Sequence, residues 1–174
     1  MNKLINMILM QLSWFACVLG AAHHVGWIGA GSAVAISAWH VLRAPKPRLE
    51  IWLLCTALAL GLIIDSLLAS NGLITFASGV IVPGFTTLWM LGLWLGFATT
   101  LNSSLHWLFA RPWLAIVFGA LGGPVAYWSG VKLGALTLGP VTPSLVAIGI
   151  CWAIAMSTFV LLFKHLSLNP EVSK

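Results

Sequence analysis

Residues 51–70, IWLLCTALALGLIIDSLLAS, decide the fold. A helix of this length and apolarity matches the hydrocarbon thickness of a bilayer, which takes about 20 residues to cross. One carboxylate, Asp65, interrupts the run. It reads as the only acid inside a hydrophobic segment, because Glu50 and Glu171 fall in polar flanks. An ionisable group at the bilayer centre costs about 2.5–3.5 kcal/mol on insertion scales, so Asp65 calls for a partner.

The rest of the chain has the same character. Sixty per cent of its 174 residues are hydrophobic and 6% are charged, which excludes a water-soluble domain. The net charge of +5 does not mark a nucleic-acid surface. Its basic residues are dispersed at the ends of apolar segments, as a topology signal is, without the clustered face a phosphate backbone needs. Cys17, Cys55 and Cys151 each lie in an apolar run with no paired spacing, and read as small buried hydrophobes. No metal and no cofactor is expected.

Before residues 51–70 come two further spans. The first, 5–21, follows Lys3 and superficially mimics a signal peptide. Its apolar run exceeds a usual signal core, so it reads as a retained helix. The second, 25–42, is rich in Gly and Ala, which lets helix backbones approach closely in lipid. Pro45 and Pro47 stop it among Arg43, Lys46 and Arg48. After Asn71-Gly72, the segment 73–83 (LITFASGVIVP) is too short to cross and reads as re-entrant or interfacial. Spans at 85–109, 113–128 and 144–163 complete the chain. In span five, Gly119 and Gly123 form a GxxxG, and Pro124 is expected to bend the helix. No repeat of fixed period is visible.

The expectation is an all-α, polytopic membrane helix bundle of about six transmembrane helices, forming one domain over residues 1–174. With the N-terminus inside, Lys3, Arg43, Lys46, Arg48, Arg111, Lys164 and Lys174 share one side and only Lys132 falls on the other. The positive-inside rule then places both termini in the cytoplasm. Trp14, Trp27, Trp39, Trp52, Trp107, Trp113 and Trp128 fall near span ends as an aromatic belt, whereas Trp89, Trp94 and Trp152 sit deeper.

Two polar constellations follow from that topology. Asp65 lies in the outer half of the membrane near a helix C-terminus, where the dipole opposes a negative charge. Its candidate partners there are His23, His24 and Lys132, with Tyr127 and Asn71 as hydrogen-bond donors. The functional reading is a carboxylate–histidine pair serving proton relay, acid–base chemistry or head-group binding, with Asp65, His23 and His24 as catalytic candidates. The plainer reading is a structural Asp bonded to a neighbouring helix.

The second constellation is Thr99, Asn102, Ser103 and His106, whose spacing of 0, 3, 4 and 7 makes one polar stripe on a helix. His40, Arg43, Glu50 and Arg111 lie at the same depth, a cation-rich rim suited to a lipid phosphate or another anion. Here the plainer reading is polar side chains bonding helices together, with Arg anchored at head groups. No acyltransferase, prenyl-transfer, hydrolase-elbow or histidine-box signature is present.

The chain resembles an uncharacterised family of small bacterial inner-membrane proteins, one of the domain-of-unknown-function families. The likeness rests on Trp14-Phe15, Gly20-Ala21, Asp65-Ser66-Leu67-Leu68, Pro83, Leu88-Trp89, the run Phe97–Leu105 (FATTLNSSL), Arg111 and Gly122–Tyr127 (GGPVAY). It covers nearly the whole chain. The family carries no assigned reaction. Its genes often neighbour lipid-tailoring enzymes, which implies a role in modifying, moving or protecting membrane lipids. The leading expectation is therefore an accessory or lipid-binding protein of membrane-lipid homeostasis, its partners being membrane lipids and other membrane proteins of a lipid-modification pathway. A lipid-modifying enzyme using Asp65 with His23 or His24 is the alternative, and a small transporter or proton-coupled carrier the third.

Overall fold

The structure, a computed structural model, describes residues 2–168; Glu171 and Lys174 lie outside them. Six α-helices follow in order: α1 (Lys3–Ala22), α2 (Gly26–Arg43), α3 (Pro47–Ser70), α4 (Leu88–Leu101), α5 (Pro112–Lys132) and α6 (Val141–Ser167). Strand β1 (Ile74–Phe76) follows α3, β2 (Leu136–Leu138) follows α5, and a 3₁₀ turn, His106–Ala110, precedes α5. The result is an all-α bundle in which α1, α3, α5 and α6 are long and apolar enough to cross a membrane.

Local chemistry sets the helix ends. The Asn2 side chain accepts from Leu4 N–H (2.9 Å) and caps α1. Pro47 and Pro112 open α3 and α5, where the missing N–H costs no intrahelical bond. Glycines set the packing distances. At Gly29 of α2 an added Cβ would lie 2.4 Å from Cys17 Cα, so α1 and α2 touch backbone to backbone. Both pack on α4, α4 packs on α3, α3 on α6, and α6 on α5.

Residues 73–83, expected as a re-entrant or interfacial piece, open with β1, which pairs antiparallel with β2. Two expectations need correction. The span 85–109 is broken. In α4 the Thr99 and Thr100 hydroxyls donate back to Gly96 and Phe97 carbonyls, and the Asn-Ser-Ser run beyond them turns out of the helix after Leu101. Glu50 is no flank residue. It lies in the first turn of α3, 2% exposed, where the helix dipole favours an acid.

The third correction is the absence of a repeat, for the structure contains one. α3 and β1 match α5 and β2 at a constant offset of 62 residues, from Gly72 to Gly134 and from Thr75 to Thr137. Both glycines take the left-handed conformation that ends a helix cleanly, at φ +68° and +82°. The bonds around them correspond one for one. Asn71 N–H donates to Leu67 O as Leu133 does to Ser129, and Gly72 to Ala69 as Gly134 does to Val131. Leu73 likewise donates to Leu68 as Ala135 does to Gly130. Thr75 sits opposite Thr137 in the ribbon, flanked by the equivalent bonds Ala77 N–H to Ala135 O and Gly139 N–H to Leu73 O. Two helices that run the same way into an antiparallel strand pair are related by a local two-fold axis along the bundle. Parallel repeats of this kind occur in transporter folds, with binding sites at the repeat interface.

Candidate functional site

Asp65 lies where the two repeats meet. It is fully buried, and its carboxylate accepts from Trp94 Nε1–H on α4 (2.8 Å at Oδ2) and from the Tyr127 hydroxyl on α5 (at Oδ1). One donor per oxygen offsets the desolvation that an unpartnered buried carboxyl would suffer.

Glycines one turn earlier make this geometry. A Cβ at Gly61 would stand 2.4 Å from Trp94 Cδ1, so only glycine lets the indole lie across α3 and reach Asp65. On α5, Gly123 does the same for Trp152 of α6, where a Cβ would stand 2.4 Å from Cγ. The offset of 62 carries Gly61 to Gly123 and Asp65 to Tyr127. The two tryptophans stack across the axis with centroids 4.5 Å apart and planes at 12°. Among the described residues, Trp152 Nε1 is buried without a hydrogen-bond partner of normal geometry.

The symmetry breaks at one face. α3 packs directly on α6, whereas the equivalent face between α4 and α5 opens into a chamber of about 170 Å³. Trp14 of α1, Leu93 and Phe97 of α4, and Gly119, Gly122 and Tyr127 of α5 are among its walls. At Gly122 a Cβ would meet nothing within 4 Å, so this wall is glycine-thin. An apolar cavity of roughly 150 Å³ stays dry and accepts an apolar guest.

The histidines expected beside Asp65 are elsewhere. The chain reverses tightly between α1 and α2 with His24 in the left-handed region (φ +60°), and the His23 and His24 rings are exposed. Lys132 is exposed, its ammonium 4.8 Å from the Trp128 ring centre, and the Asn71 amide donates to Leu67 O of its own helix. Among the described residues no carboxylate–histidine pair forms at Asp65. Of the proposed donors Tyr127 reaches it, and Trp94 is an addition. Its signal is the depth of its position in the span, since a buried indole N–H needs an acceptor.

At the opposite end, Glu50 organises a second cluster about 22 Å along α3 from Asp65 at the helical rise. His40 Nε2 lies 3.0 Å from Glu50 Oε2, and the Asn102 amide donates to Oε1 (2.9 Å). His106 Nδ1 is 3.2 Å from Asn102 Oδ1. Asn6, unremarked in the sequence, donates to Thr99 O (3.0 Å) and accepts from the Ser104 hydroxyl (2.7 Å). The expected stripe is therefore not one helix face. Thr99 belongs to α4, and Asn102, Ser103 and His106 follow its end. Arg43 lies over the Trp39 ring (5.3 Å), and Arg111 is exposed at the start of α5. Among the described residues no group of three or more His, Cys, Asp or Glu gathers to hold a metal.

No curated protein and no solved structure matches this chain. One family model, described as a protein of unknown function (DUF2878), matches residues 3–158. That match spans nearly the whole chain, so the protein belongs to the DUF2878 family.

Proposed function

We propose that the protein is an accessory, lipid-binding component of membrane-lipid homeostasis, holding an apolar lipid chain in the chamber between α1, α4 and α5. The single observation that carries this reading is the chamber itself, an apolar cavity opened where the repeat symmetry would close it. The topology that goes with it has six spans in a bacterial inner membrane, with the basic end and both termini cytoplasmic, as the positive-inside rule orients them.

The rival readings draw less support. An enzyme built on Asp65 lacks the base assigned to it, since His23 and His24 are exposed in a turn. A carrier needs a polar path from one end to the other, and the chamber shares no lining residue with the cavity at the basic end.

The test is the lipid that the protein retains. Native mass spectrometry of protein purified from its own membrane is expected to show bound lipid on the wild type. Gly122→Leu fills the chamber and should lose most of that lipid. Gly31→Leu places the same side chain at another glycine with open space around it, outside the chamber, and should keep it. Equal lipid retention by Gly122→Leu and the wild type contradicts the proposal.

A further inference from the structure

The basic end of the bundle holds a second cavity, of about 460 Å³, within the roughly 300–1,000 Å³ typical of small-ligand sites. Its character is opposite to that of the chamber. Among the described residues, Lys3 and Arg43 bring two cations to its lining, against a single acid, Glu50. Its Oε1 accepts from the Asn102 amide, and its Oε2 lies 3.0 Å from His40 Nε2, within ion-pair distance but without hydrogen-bond geometry. Cations thus outnumber acids among the described lining residues, which also include His40.

His40 adds the second observation. It is 4% exposed, and both ring nitrogens are buried with no hydrogen-bond partner among the described residues; Nε2 has Glu50 Oε2 at 3.0 Å, and Nδ1 faces no such acid. A buried polar atom left without a partner costs free energy unless a ligand or water engages it. Asn102 holds Glu50 and His106 together, so the polar side of the cavity is fixed before a ligand arrives.

We propose that this cavity binds a phosphate group. Arg43 supplies a planar fork suited to two phosphate oxygens, Lys3 a mobile point charge, and His40 Nδ1 a hydrogen-bonding atom at the buried end. The site does not depend on what fills the chamber. A lipid head group and free inorganic phosphate present the same chemistry here, and experiment separates them.

Full-length protein in a neutral detergent is titrated calorimetrically with inorganic phosphate, and separately with a short-chain phosphatidic acid. Binding of both, at similar strength, identifies free phosphate as sufficient; binding of the lipid alone identifies the head group. In either case the Lys3→Gln/Arg43→Gln double variant should weaken binding by about tenfold or more, the loss expected for charged hydrogen bonds. Arg111→Gln removes a cation near the same end but outside the cavity lining, and should leave affinity unchanged. The proposal is overturned if neither probe binds the wild type, or if Arg111→Gln weakens binding as much as the double variant.

Discussion

The α3–α4 and α5–α6 hairpins are two versions of one unit. In each, a helix ends at a left-handed glycine, a three-residue strand follows, and the returning helix lays a tryptophan on a glycine of the first. Their differences lie where the copies meet. Equivalent positions face each other across a two-fold axis, so two copies of Asp65 would set like charges together. Tyr127 in the second copy converts that conflict into a donor and an acceptor. The packing also diverges. Ala57 of α3 corresponds to Gly119 of α5, where a Cβ would stand 2.5 Å from Met156 Cγ and 2.6 Å from Trp152 O. α5 is thus drawn tightly onto α6, and the chamber lies on its other side, toward α4. The two units share one frame, and their differences at the axis leave room for a site.

The comparison is broken most severely at Asp65. Asp65→Leu strands the Trp94 N–H and the Tyr127 hydroxyl in a buried interface, at about 1–3 kcal/mol for each orphaned donor. Thermal unfolding in detergent should register a large drop in midpoint. Next come the paired glycines. Gly61→Ala and Gly123→Ala each push a Cβ into an indole and should cost about 1–3 kcal/mol by overpacking. The sharper expectation is that the two losses are similar, because the positions are equivalent, while Gly122→Ala stays within about 0.5 kcal/mol. A large loss at one glycine alone breaks the equivalence. Smallest is the ribbon. Thr75→Ala and Thr137→Ala remove either half of one cross-strand pair and should each cost about 0.2–1 kcal/mol, measured in the same way.

Much of the frame was legible from composition and periodicity, because helices that face lipid must be apolar over a bilayer's thickness. The all-α bundle and the need of Asp65 for hydrogen-bond partners follow from that alone. The repeat was not legible. It is carried by glycine positions and backbone bonds, whereas the side chains between them differ, Asp65 against Tyr127 and Ala57 against Gly119. Glu50 was misread because prolines and cations beside it suggest a loop, yet Pro47 is a helix opener and the acid turns inward. The stripe from Thr99 to His106 presupposes one continuous helix, yet the Thr99 hydroxyl, with that of Thr100 beside it, bonds back to the backbone just before the helix ends. At Asp65, histidines drew attention as titrating partners, while the donors that reach it, a tyrosine hydroxyl and an indole N–H, read as ordinary aromatic packing.

The bond that joins the two copies tests the account most directly. A double-mutant cycle of Asp65→Asn and Tyr127→Phe, read by reversible unfolding in detergent, isolates their interaction from the effect of either change alone. Groups in direct contact couple by about 0.5–3 kcal/mol, and a value of about 1 kcal/mol or more is predicted for this pair. A coupling indistinguishable from zero would mean that Asp65 and Tyr127 do not hold the repeats together, and would contradict the site as described.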